Sequence, residues 1–463
     1  MNIFKDLFLD LQYVPLFAGL SAFVMSTCFY LYPCIIKVSK QKGLMDATDN
    51  RKIHKDLTPT LGGLGVFIVF SLSIIFYGLF IDLVHTDLIK LLVLLGSAII
   101  LFFLGVKDDL VPMSPKKKFL GQLLAVLNVV VFTDVRIIGF EGLLGVGELP
   151  YFLSIIFSIF VFILIINALN LIDGIDGLAG LISVISSLVF GILFFIHEHY
   201  LMTLISAILI GSILGFLRYN LSSNQKIFMG DCGSMLAGFL LAYQGVSFIA
   251  LNSNPISSTF VSNTPVLLIA ILSYPLFDLL RVFAIRIKQG RSPFSADSNH
   301  IHHRLLRIGL SHKEATFLLS ILSIIVIGCS FLFNSLDVHL HLLITVCIGS
   351  LIYLAPFLKI FDKQVDASVT ESSKETAAAV LQYDVIMESG INLDSSKYSK
   401  GNDTEDSLPI VDELELDKNL KTEVLKSDFT SIIKDRRQNL DRERKKQDGK
   451  TSSDHQEILD QNE

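Results

Sequence analysis

The chain alternates long, unbroken apolar runs with short polar connections. About eleven of these runs approach the ~20 residues a helix needs to cross the hydrocarbon core of a bilayer. They lie near 13 to 36, 62 to 84, 88 to 106, 119 to 139, 150 to 172, 178 to 196, 201 to 219, 232 to 252, 264 to 287, 314 to 334 and 338 to 361. The fourth is the least regular, because Asp134 and Arg136 interrupt its end. Lipid offers a backbone amide no partner, so runs this long must be helices rather than strands of a barrel. The pattern therefore predicts an all-α, polytopic membrane protein. Neither a repeat of fixed period nor a matched pair of interrupted helices points to an inverted-repeat transporter.

Composition agrees: at 51% hydrophobic and 18% charged residues, a water-soluble domain could not hide its apolar side chains. The N-terminus lacks the basic start and small-residue cleavage site of a signal peptide, so the first run is expected to stay as a span. Cys28, Cys34, Cys232, Cys329 and Cys347 are scattered, without zinc or disulfide spacing, and read as reduced packing residues.

The net charge of -6 conceals a split along the chain. Among the connections between spans, alternate ones hold nearly all the cations, from Lys37 to Lys55, Lys107 to Lys118, Arg218 to Lys226 and Arg286 to Lys313. The positive-inside rule makes these cytoplasmic, with the N-terminus outside and the C-terminus inside. From Asp362 onward the chain turns polar and mixed in charge, which predicts a transmembrane catalytic domain over 1–361 and a largely disordered cytoplasmic tail over 362–463. Nothing points to a nucleic-acid partner.

Five polar clusters fall at the cytoplasmic ends of these spans. The first is Asp108-Asp109 with Lys107 before it and Lys116, Lys117 and Lys118 after it. Paired acids suit a divalent cation or proton acceptance beside a phosphate, with the lysines supplying counter-charge, though such a pair also makes an ordinary solvated turn. The second runs through Asn167, Asn170, Asp173, Gly174, Asp176 and Gly177, where acids and amides this close to lipid point to function rather than to capping. The third is Gly230-Asp231-Cys232-Gly233-Ser234, in which Asp231 is either a metal ligand or a helix cap. The fourth is Asp297, His300, His302, His303 and Arg304, able to converge on a diphosphate and too poor in ligands for zinc. The fifth, Lys52, His54, Lys55, Thr58, Pro59, Thr60, Gly62 and Gly63, would serve a nucleotide diphosphate but also fits the positive-inside pattern. Many carboxylates, imidazoles and lysines without a partnered Ser or Cys nucleophile fit phosphoryl transfer, with a membrane lipid as one reactant.

In these motifs the chain resembles the polyprenyl-phosphate N-acetylhexosamine-1-phosphate transferases over roughly residues 10 to 361. The residues carrying the resemblance are Asp108-Asp109, Asn167 to Leu178, Phe228 to Ser234, His300 to Leu305, and the Thr58-Pro59-Thr60 loop with its two glycines. It implies attack of undecaprenyl phosphate on the β-phosphate of a UDP-N-acetylhexosamine, with release of UMP. It implies Mg²⁺, or Mn²⁺ in its place, on Asn170 and Asp231, and Asp173 and Asp176 facing the uridine. His300, His302, His303 and Arg304 would face the diphosphate and sugar, and Asp108 and Asp109 the lipid phosphate. Lys55, Thr58 and Asn167 complete the substrate-binding set, and a homodimer in a bacterial cytoplasmic membrane is compatible with the family. The His-x-His-His-Arg spelling is closer to the branch that starts O-antigen, enterobacterial common antigen or teichoic acid linkage than to the muramoyl-pentapeptide branch, so a UDP-GlcNAc-like donor is expected. Where many members carry a third acid, this chain has Pro112. A transporter or channel remains the alternative from another class, and would spread its polar groups through the bilayer depth. The aspartate-rich signature of a CDP-alcohol phosphatidyltransferase is missing.

Overall fold

The computed structural model describes residues 13–47, 57–80, 83–252, 261–292 and 300–357. Its helices are α1 (Tyr13–Lys42), α2 (Gly62–Phe80), α3 (His85–Leu110), α4 (Pro115–Thr133), α5 (Tyr151–Ile172), α6 (Leu178–Ile196), α7 (Tyr200–Asn220) and α8 (Gly230–Leu251). They continue as α9 (Thr264–Ile271), α10 (Ser273–Lys288), α11 (Ile301–Arg307), α12 (His312–Leu332) and α13 (Val338–Leu354). The chain is an all-α multi-pass membrane protein; among the described residues, nine helices are long and apolar enough to cross a bilayer. One small sheet adds to this: β1 (Met45–Ala47) pairs antiparallel with β2 (Leu57–Pro59), setting Asp46 opposite Thr58. The five cysteines are free, with Cys28 and Cys232 buried. The tail after 357, like Lys55 and Asp297, lies outside the described residues.

Two expected spans differ from the pattern. The fourth starts earlier and ends sooner, because Pro115 opens α4 and Asp134 closes it in a left-handed conformation, φ 54°. Lys116, Lys117 and Lys118 thus fall in the first turns of α4 and keep it out of the purely apolar set. The ninth span is broken, with α9 and α10 meeting at 81° about Leu272. Pro275 has no N–H to return to the Ile271 carbonyl, and its ring crowds that carbonyl, so the helix must bend there.

The most enclosed of the spans is α8, packed against α2, α3, α5 and α6. Its glycines let neighbouring backbones approach closely, the usual way membrane helices gain contact when lipid removes the hydrophobic drive. At the crossing of α2 and α8, a Cβ on Gly63 would lie 2.1 Å from the Gly233 nitrogen. Backbone cannot yield there, so Gly63→Ala is expected to lower stability by ~1–3 kcal/mol. Gly78→Ala is the control, because only Leu83 lies at 4.0 Å from its Cβ. Melting temperatures of the two variants in detergent check this; equal values would contradict it.

Candidate active site

Adjacent helical residues point about 100° apart, and Asp108 and Asp109 at the end of α3 accordingly do different work. Asp109 reaches the start of α8, where Oδ1 accepts from the Asp231 N–H at 2.7 Å and Oδ2 from the Cys232 N–H at 3.1 Å. It thereby satisfies two of the amides every helix start leaves open and places a negative charge at the positive end of α8. Gly230 precedes them at φ +71°, a conformation that favours glycine. Asp108 turns the other way, its Oδ1 accepting from the Met113 N–H at 2.6 Å and its Oδ2 pairing with Lys118 at 3.0 Å.

Lys118 is where the helices meet. Its Nζ lies 2.8 Å from Asp231 Oδ2, 3.0 Å from Asp108 Oδ2 and 3.3 Å from Asn170 Oδ1, joining α4 to α8, α3 and α5. The Asn170 amide nitrogen donates to Asp231 Oδ1 at 2.5 Å and to Ser234 Oγ at 2.9 Å, which fixes its oxygen toward Lys118. One turn deeper, Asn167 donates to Gln122 Oε1 at 3.0 Å and so ties α5 to α4.

Asp173 closes α5 and makes no hydrogen bond or ion pair among the described residues. Its surface is partly open, yet protein crowds it on most sides. Burial, reinforced by the charges of Asp231, Asp109 and Asp176, pushes its carboxyl well above the usual range. Asp176 differs: its Oδ2 accepts from Lys226 at 2.7 Å and faces His312 Nδ1 at 3.4 Å. Burial opposes its charge, but the hydrogen bonds from His312 and Lys226 prevail and hold the carboxyl below its ordinary value. The turn between them is anchored by Asn220, which accepts from the Gly177 N–H at 2.6 Å.

The histidine motif comes to the same end of the bundle. A Cβ on Gly174 would lie 2.5 Å from His302 Nε2, so the imidazole rests on the turn after Asp173. That Nε2 is buried and has no hydrogen-bond partner, while Tyr274 approaches Nδ1 at 3.5 Å. His300 is buried with Nδ1 at 2.9 Å from Asp278 Oδ2, and the Ile301 N–H donates to Asp278 Oδ1 at 3.0 Å. Fully buried Asp278 therefore starts α11 and orients its first imidazole. His300 and His302 stack at 5.4 Å, and His303 tilts against His302 at 4.3 Å. Arg304 donates to the Pro356 carbonyl at 3.1 Å. Thr58 is buried in β2, whose neighbour Pro59 accepts from the Phe228 N–H at 2.8 Å. Gly62 and Gly63 donate in turn to the carbonyls of Phe228 and Met229, so the first loop braces the chain leading to Asp231.

Burial, with His303 beside it, pulls the His302 imidazole down to about 3, and burial lowers His303 as well. Because the folded value lies below the ordinary 6.5, stability is complete above that pH and is lost as the pH falls toward 3. By about pH 5 the loss from this one group is ~2 kcal/mol. Melting temperatures near neutrality and near pH 5 should fall less for His302→Asn than for the parent protein; equal losses would contradict the buried neutral imidazole.

Asp278, Lys226 and Asn220 carry the geometry from outside the expected site residues, and Lys118, expected only as one of several lysines supplying counter-charge to Asp108 and Asp109, stands at its centre. Among the described residues no three carboxylate, imidazole or thiol groups converge closely enough to hold a metal by themselves. Two carboxylates and one amide oxygen do converge, around the Lys118 ammonium. An all-oxygen set completed by phosphate oxygens suits Mg²⁺, which rarely relies on protein ligands alone. The residues present therefore fit the ion.

An apolar cavity of about 690 Å³ lies between α5, the α9–α10 bend and α13, lined in part by Phe140, Phe160, Leu164, Leu268 and Phe277, with Arg281 and Ile301 also on its wall.

The sequence model of glycosyl transferase family 4 matches residues 91–249. The chain is 30% identical over 312 residues to the undecaprenyl-phosphate alpha-N-acetylglucosaminyl 1-phosphate transferase of Escherichia coli (strain K12), spanning 65% of this chain and 79% of that one. It is 31% identical over 331 residues to a Bacillus subtilis (strain 168) protein described as a probable undecaprenyl-phosphate N-acetylglucosaminyl 1-phosphate transferase, spanning 70% and 87%. Over 175 residues, 36% of this chain and 43% of the relative, it is 36% identical to the decaprenyl-phosphate N-acetylglucosaminephosphotransferase of Mycobacterium tuberculosis (strain ATCC 25618 / H37Rv).

Proposed function

The chain belongs to glycosyl transferase family 4, and from that premise we propose that it transfers N-acetylglucosamine 1-phosphate from UDP-N-acetylglucosamine to undecaprenyl phosphate at the cytoplasmic face of a bacterial membrane, releasing UMP. The observation that carries the reading is the convergence of Asp108, Asn170 and Asp231 oxygens on one cationic centre, beside an unpaired Asp173 and a buried imidazole. Asn170 Oδ1 and Asp231 would hold Mg²⁺ against the donor diphosphate. That ion would neutralise the diphosphate oxygens and make the β-phosphorus easier to attack.

In the exchange, a P–O bond forms between the lipid phosphate oxygen and the β-phosphorus, while the bond from that phosphorus to the UMP oxygen breaks. A phosphate monoester is already largely ionised near neutrality, so Asp108 is needed to position the acceptor rather than to take a proton. Asp109 supports the step from behind, by fixing the start of α8 and with it Asp231. Neutral His302 offers a hydrogen bond to a diphosphate oxygen without a fixed charge of its own. Asp173 is the carboxyl left available to the nucleotide, because Asp176 is occupied by Lys226. The apolar cavity, with Ile301 of α11 on its wall, supports an acceptor with an isoprenoid chain.

The test is purified protein in detergent with undecaprenyl phosphate, Mg²⁺ and, in separate reactions, UDP-GlcNAc and UDP-GalNAc. UMP release with UDP-GlcNAc, stopped by EDTA and restored by Mg²⁺, is the expected result. Failure to release UMP from either sugar nucleotide, or release indifferent to EDTA, rejects the proposal.

A further inference from the structure

We propose that Lys118 and a divalent cation compete for the same oxygens, and that the metal binds by displacing the Lys118 ammonium group from Asp108, Asn170 and Asp231. The inference rests on the reading that Asn170 and Asp231 are the metal's ligands. Lys116 and Lys117 in the same turn are exposed, whereas the Lys118 side chain is 16% exposed and turned inward. Its ammonium meets three oxygens from three different helices, at 2.8, 3.0 and 3.3 Å. Such a convergence, made by residues far apart in the chain, is a cation site, and Lys118 supplies it with a cation of the chain's own.

Mg²⁺ at roughly 2.0–2.1 Å from these oxygens would stand only a few Å from the ammonium, where like charges repel strongly. Lys118 and the metal therefore compete for Asp231 and Asn170. The site is also short of positive charge with Lys118 in place, since the carboxylates of Asp108 and Asp231 share one ammonium. Exchanging one positive charge for two, and releasing a lysine on a flexible stem toward an incoming phosphate, improves that balance. Metal and Lys118 thus compete in the empty site and cooperate once a diphosphate is present. Without Lys118 the empty site would hold its acids at mutual repulsion, so the same residue keeps the four helices together between turnovers.

The experiment uses the full chain in detergent and follows melting temperature against Mg²⁺ without substrate. Lys118→Met is expected to bind Mg²⁺ about tenfold more tightly than the parent while melting lower in EDTA. Lys118→Arg, which keeps the charge, is expected to stay near the parent in Mg²⁺ affinity. Adding UDP should raise Mg²⁺ affinity more in the parent than in Lys118→Met. In the parent protein itself, acylation of Lys118 read by mass spectrometry should increase when Mg²⁺ is added, because the amine is released. Unchanged or weaker Mg²⁺ affinity in Lys118→Met, or acylation that does not rise with Mg²⁺, overturns the proposal. Asp231→Asn separates the two levels: a lost Mg²⁺ shift keeps the metal site where it is proposed, whatever Lys118 does, and a retained shift moves it elsewhere.

Discussion

Asp231→Asn is expected to lower turnover by about three orders of magnitude with little change in melting temperature. The two parts of that result have separate causes. The backbone N–H of residue 231 still donates to Asp109, so the start of α8 is kept, and an amide oxygen can still accept from Asn170. The negative charge that would hold the ion against the diphosphate is gone. Burial opposes the charge of Asp231, so a neutral side chain there offsets part of the loss of the ion pair to Lys118. UMP release measured over a range of Mg²⁺ checks the expectation. Activity within a few-fold of the parent would mean that Asp231 is only a cap and packing residue.

Asp278→Ala is expected to reduce turnover about a hundredfold and to lower stability by ~2–4 kcal/mol. The carboxylate is fully buried and divides its oxygens between the His300 ring and the Ile301 N–H, with Arg281 at 3.6 Å. Truncation leaves the first amide of α11 and the His300 Nδ1 without their acceptor, and the stacked His302 shifts with His300. Asp278→Asn keeps an oxygen for Ile301 and should fall between the two in both measurements. If Asp278→Ala lost stability but kept its turnover per folded molecule, the residue would serve the fold and not the histidine motif.

Asp278 also shows where reading the sequence fell short. It lies inside the apolar run expected over 264 to 287, three residues before Arg281, and an acid with a nearby arginine at such a place was itself a signal of function. The run concealed the bend as well, since it continues apolar through Leu272 while the cause is the missing N–H of Pro275. Lys118 was visible only as one of three consecutive lysines; what singles it out is the register of α4 from Pro115, which turns it toward α3 and α8. The sequence presents Asp108 and Asp109 as a pair with one purpose, whereas helical rotation gives them different partners in one site, Lys118 for Asp108 and the start of α8 for Asp109.

The span pattern was legible because lipid imposes one rule on every residue of a span. Positions of the individual helices were legible to within a turn or so for the same reason. The meeting of motifs was legible in outline, as polar clusters at matching ends of spans, and the structure adds the contacts between them. Asn170 against Asp231, Gly174 against His302 and Asp109 against the start of α8 bring four of the clusters to one place. The fifth, through Phe228 and Pro59, braces it. None of those contacts follows from spacing along the chain, because each depends on how two helices cross.

The most direct measurement is the anomalous scattering of Mn²⁺ in crystals of the protein soaked with UDP-GlcNAc. A single peak within coordination distance of Asn170 Oδ1 and Asp231, shared with the diphosphate and with Lys118 moved off those oxygens, is the predicted result. Metal density anywhere else, or a bound diphosphate out of reach of Asp231 and His302, would contradict a single metal-centred site.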